Sequence, residues 1–484
     1  MKKYFWCPNN TKTNHTRQNR NYARIAWVIG LGCHLAMAAT DVAPPLPPQN
    51  VLQRFTLPNN LPFPNPSGFA ATFSRDGFID LGNEFFQNLG TNGRRCVSCH
   101  QPQEGWSITP TGVNLRFLLT SGTDPIFRTN DGSNSPNLDV STVKARRIAY
   151  SMLLNKGLIR VGLPIPANAE FELIAVDDPY HYASATELSL FRRPLPTTNL
   201  KFLSTVMWDG RETFPGQTMH FDLGHQANDA TRGHAMAALD LTPSQVESIV
   251  NFESSMTTAQ VFDWSARWLN GMGAKGGPFN LANQVFYIGI NDLFNDSQTN
   301  APFNPVVFNI YDSWDGLAGD TVMQARAAVA RGQALFNTKP IVITGVSGIN
   351  DEAAFGNPAS VTGTCTTCHD TPNSGNHSVV APLNLGLTDA SRRTPDMPLY
   401  TLRNRVTGET AQTTDPGRAL ISGKWKHIGR FKGPILRGLA SRAPYFHNGF
   451  AADLNAVVNF YQHRFNIVFS PQEKADLVAF LKAL

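Results

Sequence analysis

Twice the chain sets two cysteines three residues apart and follows the second at once with a histidine. The segments are "CVSCH" at 96–100 and "CTTCH" at 365–369. A Cys-x-x-Cys pair alone fits a disulfide or half of a zinc site. Neither explains a histidine directly after each pair. Covalent attachment of haem does. The two thiols add to the haem vinyl groups, and the next residue aims its imidazole at the iron from the same turn. The motifs therefore predict two haem c groups, one on Cys96 and Cys99 and one on Cys365 and Cys368. His100 and His369 are the expected proximal ligands.

The cysteine count strengthens this reading. Of six cysteines, Cys7 and Cys33 lie in the first 38 residues, which read as an export signal. Lys2, Lys3, Lys12, Arg17, Arg20 and Arg24 make a basic start without an acidic residue. The apolar run "IAWVIGLGCHLAMA" follows, too short to span a bilayer and ending in the small-x-small site Ala36-Met37-Ala38. Cleavage near Ala38 leaves only the four motif cysteines, so no structural disulfide is expected. It also removes six positive charges from the formal +5 of the whole chain, so nothing points to nucleic acid. The expected location is the periplasm, with no membrane span.

With 38 Gly and 33 Pro in 484 residues, the chain is expected to be loop-rich. A weak internal repeat, "LGNEFFQNLG" (81–90) against "RGQALFNTKP" (331–340), reads as one amphipathic helix ahead of each motif. "LTPSQVESIVNF" and "FSPQEKADLVAFLKAL" share a capping-box design, with Thr242, Pro243 and Gln245 in one and Ser470, Pro471 and Glu473 in the other. In the second, Leu477, Phe480, Leu481 and Leu484 fall on one helical face. The expected organisation is a leader (1–38), an N-terminal haem domain (39–256), a connecting segment (257–321) and a C-terminal haem domain (322–484).

The paired motifs, "MWDGRE" (207–212) and "FKGPILRGLASRAPYFHNGFAADLNAVVNFY" (431–461) together resemble the bacterial diheme cytochrome c peroxidase and MauG family. The resemblance implies a mainly α fold of two cytochrome-c-like domains, a peroxidatic N-terminal haem and a C-terminal haem that relays electrons from a small redox protein. It places Trp208 between the haems as an electron-transfer residue. It implies a calcium ion held through backbone carbonyls near "APYFH", here those of Arg442 and Pro444.

The chain departs from the family's peroxidases at three points. Fourteen residues after His447, where they carry a Met ligand to the second iron, stands Tyr461, as in MauG-type members. No His occurs between His100 and His181, so the usual distal histidine is missing. The family's distal Gln and Glu pair is met by Gln226 and, near the Glu position, Met236. His234 is the expected proton carrier instead, with His225 and Glu212 as further candidates.

These residues predict a periplasmic peroxidase that reduces hydrogen peroxide to water. Its electrons would come from a small periplasmic cytochrome c or cupredoxin. A MauG-like oxidase of a protein or organic substrate and a non-catalytic electron carrier are the alternatives.

Overall fold

Two helices start at the predicted capping boxes. Thr242 Oγ1 accepts from the Gln245 amide at 3.3 Å while Gln245 Oε1 accepts from the Thr242 amide at 2.9 Å, opening the helix Pro243–Ser255. Ser470 and Glu473 do the same at 3.1 and 2.7 Å for the helix Pro471–Lys482. Such caps satisfy amide groups that have no partner within the helix. The computed structural model describes residues 55–484; the predicted leader and its cleavage site near Ala38 lie outside them.

The helix Pro471–Lys482 lies on Thr321–Thr338, the helix predicted ahead of the second motif. Leu477, Phe480, Leu481 and Leu484 are buried in their shared core. There Phe308, Phe336 and Phe480 meet edge to face or tilted, with centroids 5.3 to 5.7 Å apart. Phe336 also lies 5.9 Å from the His369 ring, so this helix pair supports the second motif directly. "DLNAVVNFY" is helical, as Leu454–Arg464.

The mainly α expectation does not hold. Helix makes up 31% and strand 17%, the balance of an ordinary mixed protein. Five small antiparallel sheets account for the strands among the described residues. Their sequences are short β-branched or aromatic runs that fit a pleated, half-buried surface. "GFAATFS" (68–74) pairs with "MTTAQVFD" (256–263). "FELIAVD" (171–177) pairs with "LYTLRN" (399–404), joining chain positions more than 200 residues apart. The repeat ahead of the first motif also falls short of a helix. Residues Glu84–Phe86 form a single 3₁₀ turn, capped by Asn83 and flanked by Gly82 and Gly90.

Two features place the site. The antiparallel pair of Ile159–Leu163 with Leu188–Arg192 forms one wall of a cavity beside the first motif. The segment 257–321 opens on the strand Met256–Asp263, which pairs with the first half's sheet, and holds the short helix Pro278–Ala282 and the 3₁₀ turn Asp312–Trp314.

Candidate functional site

Both motifs adopt the same local structure. Cys96–Ser98 and Cys365–Thr367 are 3₁₀ turns, and His100 and His369 follow directly. His100 Nδ1 lies 3.1 Å from the Trp106 carbonyl, and His369 Nδ1 lies 2.5 Å from the Gly375 carbonyl, six residues on in each case. A metal-ligating histidine characteristically donates one ring N–H to such a carbonyl, which sets the tautomer and turns the other nitrogen to the metal. Gly375 has φ 73°, and a Cβ there would lie 2.7 Å from Phe308, so only glycine presents this carbonyl. Burial lowers both imidazoles to about 4 and keeps them neutral. It pushes the thiols of Cys365 and Cys368 up to about 12. Among the described residues, the two cysteine pairs do not combine into a zinc-like cluster.

The first motif opens on a cavity whose lining is mostly apolar, the usual character of a cofactor site. Cys96, Cys99, His100, Trp208, Gln226 and His234 all line it. A Cys-x-x-Cys pair, a neutral imidazole on a fixed tautomer and a mostly apolar chamber fit a haem c. At the second motif, Tyr461 packs in the same apolar cluster as Cys365 and Cys368. Its ring is stacked towards Phe465 at 6.3 Å. Burial pushes the phenol well up, an effect that a bound cation would reverse.

His234 caps the helix Met219–Gly233 and points Nδ1 at Asp131 Oδ2. Asp131 is buried and takes the Arg94 guanidinium on its other oxygen. Burial works to raise the carboxyl, but Arg94 and His234 outweigh it and hold it low. His225 is placed differently. It faces outward to Glu212, with 2.7 Å between Nδ1 and Oε2. Glu212 lies in an adjoining polar recess that Gln226 and His234 also line. Met236, at the family's Glu position, is exposed.

Trp208 follows Met207, a non-glycine residue held at φ 66°. Its Nε1 donates to the Arg193 carbonyl at 2.8 Å. Its own carbonyl accepts from the Lys432 amide at 2.9 Å. Next along the chain is Gly433, at whose position a Cβ would lie 3.6 Å from the Cys368 carbonyl. Trp208 thus borders the first cavity and is tied to a segment that touches the second motif.

Three groups in or beside the cavity escaped the sequence reading. Asp131 sits in the turn-rich stretch "RTNDGSNSPN", 103 residues from the histidine it orients. Burial raises Glu253 to about 8 and lowers Lys432 to about 7, and both line the cavity. Only a charged residue inside an apolar helix stretch hinted at Glu253.

No family model matches the chain. It is 29% identical over 140 residues to the cytochrome-c peroxidase IdrP1 of Pseudomonas sp. (strain SCT), and 31% identical over 132 residues to the cytochrome-c peroxidase IdrP2 of Denitromonas iodatirespirans. Each match covers 25% of this chain and 36% of the relative. A crystal structure of a MauG-like protein associated with microbial copper homeostasis aligns over 92% of this chain and 95% of its own, at 16% identity and a TM-score of 0.36, too loose a likeness to define the fold. The chain is thus similar to cytochrome-c peroxidases along one segment, and it spans about a third of the length of the curated relatives it matches.

Proposed function

We propose that the chain is a periplasmic diheme c-type peroxidase that reduces hydrogen peroxide to two waters. Electrons pass from the C-terminal site (322–484) through Trp208 to the N-terminal site (39–256), across the connection 257–321. They come from a small periplasmic cytochrome c or cupredoxin. The observation that carries this reading is one cavity lined by His100, Trp208, Gln226 and His234.

Cys96 and Cys99 would hold the first haem through thioether bonds, with His100 towards its iron. Cys365, Cys368, His369 and Tyr461 would hold the second. When bound, haem c supplies the redox-active iron at which peroxide gains two electrons. The chain's own residues manage the protons. Asp131 keeps the His234 proton on Nδ1, which leaves Nε2 free to act as a base at the cavity that His234 lines. That nitrogen takes a proton from the incoming peroxide and returns it to the departing oxygen. The Gln226 amide lies about two helical turns before His234 and would offer a hydrogen-bond donor to peroxide in the cavity. The Arg193 carbonyl fixes the Trp208 indole plane.

Tyr461 favours a second reading, a MauG-like oxidase of a protein or organic substrate. An oxygen ligand lowers the potential of the second iron relative to Met and so disfavours simple relay from a high-potential donor. Stopped-flow mixing of the reduced holoprotein with peroxide, followed by turnover with reduced cytochrome c or cupredoxin, tests both. Rapid reaction with sustained donor oxidation supports the peroxidase. Rapid reaction without donor turnover moves the assignment to the oxidase. A spectrum that peroxide leaves unchanged removes both and leaves an electron carrier.

A further inference from the structure

Arg192 ends one strand and Arg193 follows it, but they solve the problem of a buried charge in opposite ways. Arg192 is sandwiched between carboxylates, 2.7 Å from Asp415 and 2.5 Å from Asp209. Arg193, also buried, makes no ion pair among the described residues. Its guanidinium donates only to backbone carbonyls, at 2.6 Å to Ile108, 3.1 Å to Gly157, 3.3 Å to Lys156 and 3.1 Å to Arg442. These oxygens come from three separate stretches of chain.

Uncharged oxygens converging on a buried positive charge are the donor set of a hard-cation site. The Arg442 carbonyl is also one of the two that the family resemblance assigns to calcium. In this chain it already has a cation, covalently part of the protein. The local backbone is shaped for that occupant. Gly157 sits at φ 61°, and a Cβ on it would lie 2.0 Å from Arg193 Nη1, so a side chain there would expel the guanidinium. Lys156 and Gly157 also close the helix Ser151–Lys156, where unsatisfied carbonyls collect.

The same residue holds the electron-transfer tryptophan. The Arg193 amide donates to the His447 carbonyl at 2.6 Å, and its carbonyl takes the Trp208 indole N–H. We infer that the Arg193 guanidinium is a built-in replacement for the calcium ion, so that this chain joins its haem-bearing segments and positions Trp208 without a bound divalent cation. Burial lowers its pKa to about 10, with Glu104 opposing that shift, so the group keeps its charge at neutral pH. The inference rests on the carbonyl geometry and stands whether or not peroxide is the substrate.

The test uses the full-length holoprotein and reads metal content and thermal stability rather than turnover. Purified protein should carry substoichiometric calcium by elemental analysis, and EGTA followed by calcium should leave Tm and both haem spectra unchanged. One tightly held calcium per chain, or a fall in Tm on chelation that calcium restores, would overturn the inference. Arg193→Ala empties the carbonyl cluster. It should lower Tm in EGTA and recover part of the loss on adding calcium, with binding detectable by calorimetry. A variant as stable as the parent in EGTA would show that the guanidinium is dispensable and also count against it. If Arg193→Ala does not fold, the parent's calcium content and chelation response still decide.

Discussion

Replacing Asp131 with Asn should disable the first cavity's proton carrier without moving it. Asp131 accepts from Arg94 on one oxygen and from His234 Nδ1 on the other. Asn has the same shape but one acceptor. Arg94 has only donors, so the Asn oxygen must stay with Arg94 and its amide must face His234. His234 then has to accept on Nδ1, and its proton moves to Nε2. Nε2 then changes from base to donor. A positioned acid–base group contributes roughly 100- to 10,000-fold, so Asp131→Asn should slow the peroxide reaction at least ~100-fold, about 2.7 kcal/mol. His234→Ala should lose a similar factor, and the double variant little more, because the two act as one unit. His225→Ala, whose ring faces Glu212 outside the cavity, should change the rate far less. Arg94 keeps the carbonyls of Pro125, Ile126 and His234 as acceptors, so Asp131→Asn should still fold and carry haem. The assay is stopped-flow absorbance after peroxide addition, with haem content measured on each variant. An Asp131→Asn protein that reacts within about threefold of the parent, while His234→Ala loses ~100-fold, would refute the tautomer argument. A large loss in His225→Ala and none in His234→Ala would move the proton path to the outer recess.

Tyr461→Met should raise the reduction potential of the second haem in spectroelectrochemical titration, because a thioether replaces an oxygen ligand; an unchanged potential and spectrum would remove Tyr461 from the iron. Trp208→Phe removes the indole N–H and leaves the Arg193 carbonyl without that donor. It should slow electron transfer between the haems in flash-reduction experiments while costing only about 1 kcal/mol of stability, and an unaltered transfer rate would make Trp208 a packing residue. Burial favours protonation of Asp209, but Arg192 and Arg211 outweigh it and hold the carboxyl down to about 2. The folded value lies below the unfolded value of about 3.9, so this stabilisation is complete above pH ~4 and is lost as pH falls through ~2, a contribution of about 2–3 kcal/mol. Asp209→Asn should therefore flatten the fall of Tm between pH 4 and 2; an identical acid profile would show that Asp209 carries none of it.

What could be read from the sequence was local chemistry. Both motifs, the two capping boxes and the helices through Tyr461 and Phe336 need only neighbouring residues to form, and the structure has them. The strands were missed because each is short and flanked by turn residues, and its partner is remote, as in 171–177 against 399–404. The periodicity of a six-residue run says little until a second strand lies beside it. The helix expected at 81–90 failed because two glycines and an Asn cap confine it to one turn. Gln226, His234 and Trp208 were found through the resemblance and share the cavity. Asp131 and the carbonyls around Arg193 have no sequence signature, since backbone oxygens belong to every residue and Asp131 acts across 103 positions.

The central claim is that both Cys-x-x-Cys-His turns carry covalent haem, with peroxide reacting at the first. Intact-mass analysis of the purified holoprotein, beside Cys96→Ala/Cys99→Ala and Cys365→Ala/Cys368→Ala forms, tests it most directly when each sample is also mixed with peroxide. The account predicts two haems on the parent and one on each double variant, with the fast peroxide reaction lost only when the Cys96 and Cys99 pair is removed. A parent chain carrying no haem, or one whose peroxide reaction survives without Cys96 and Cys99, would contradict it.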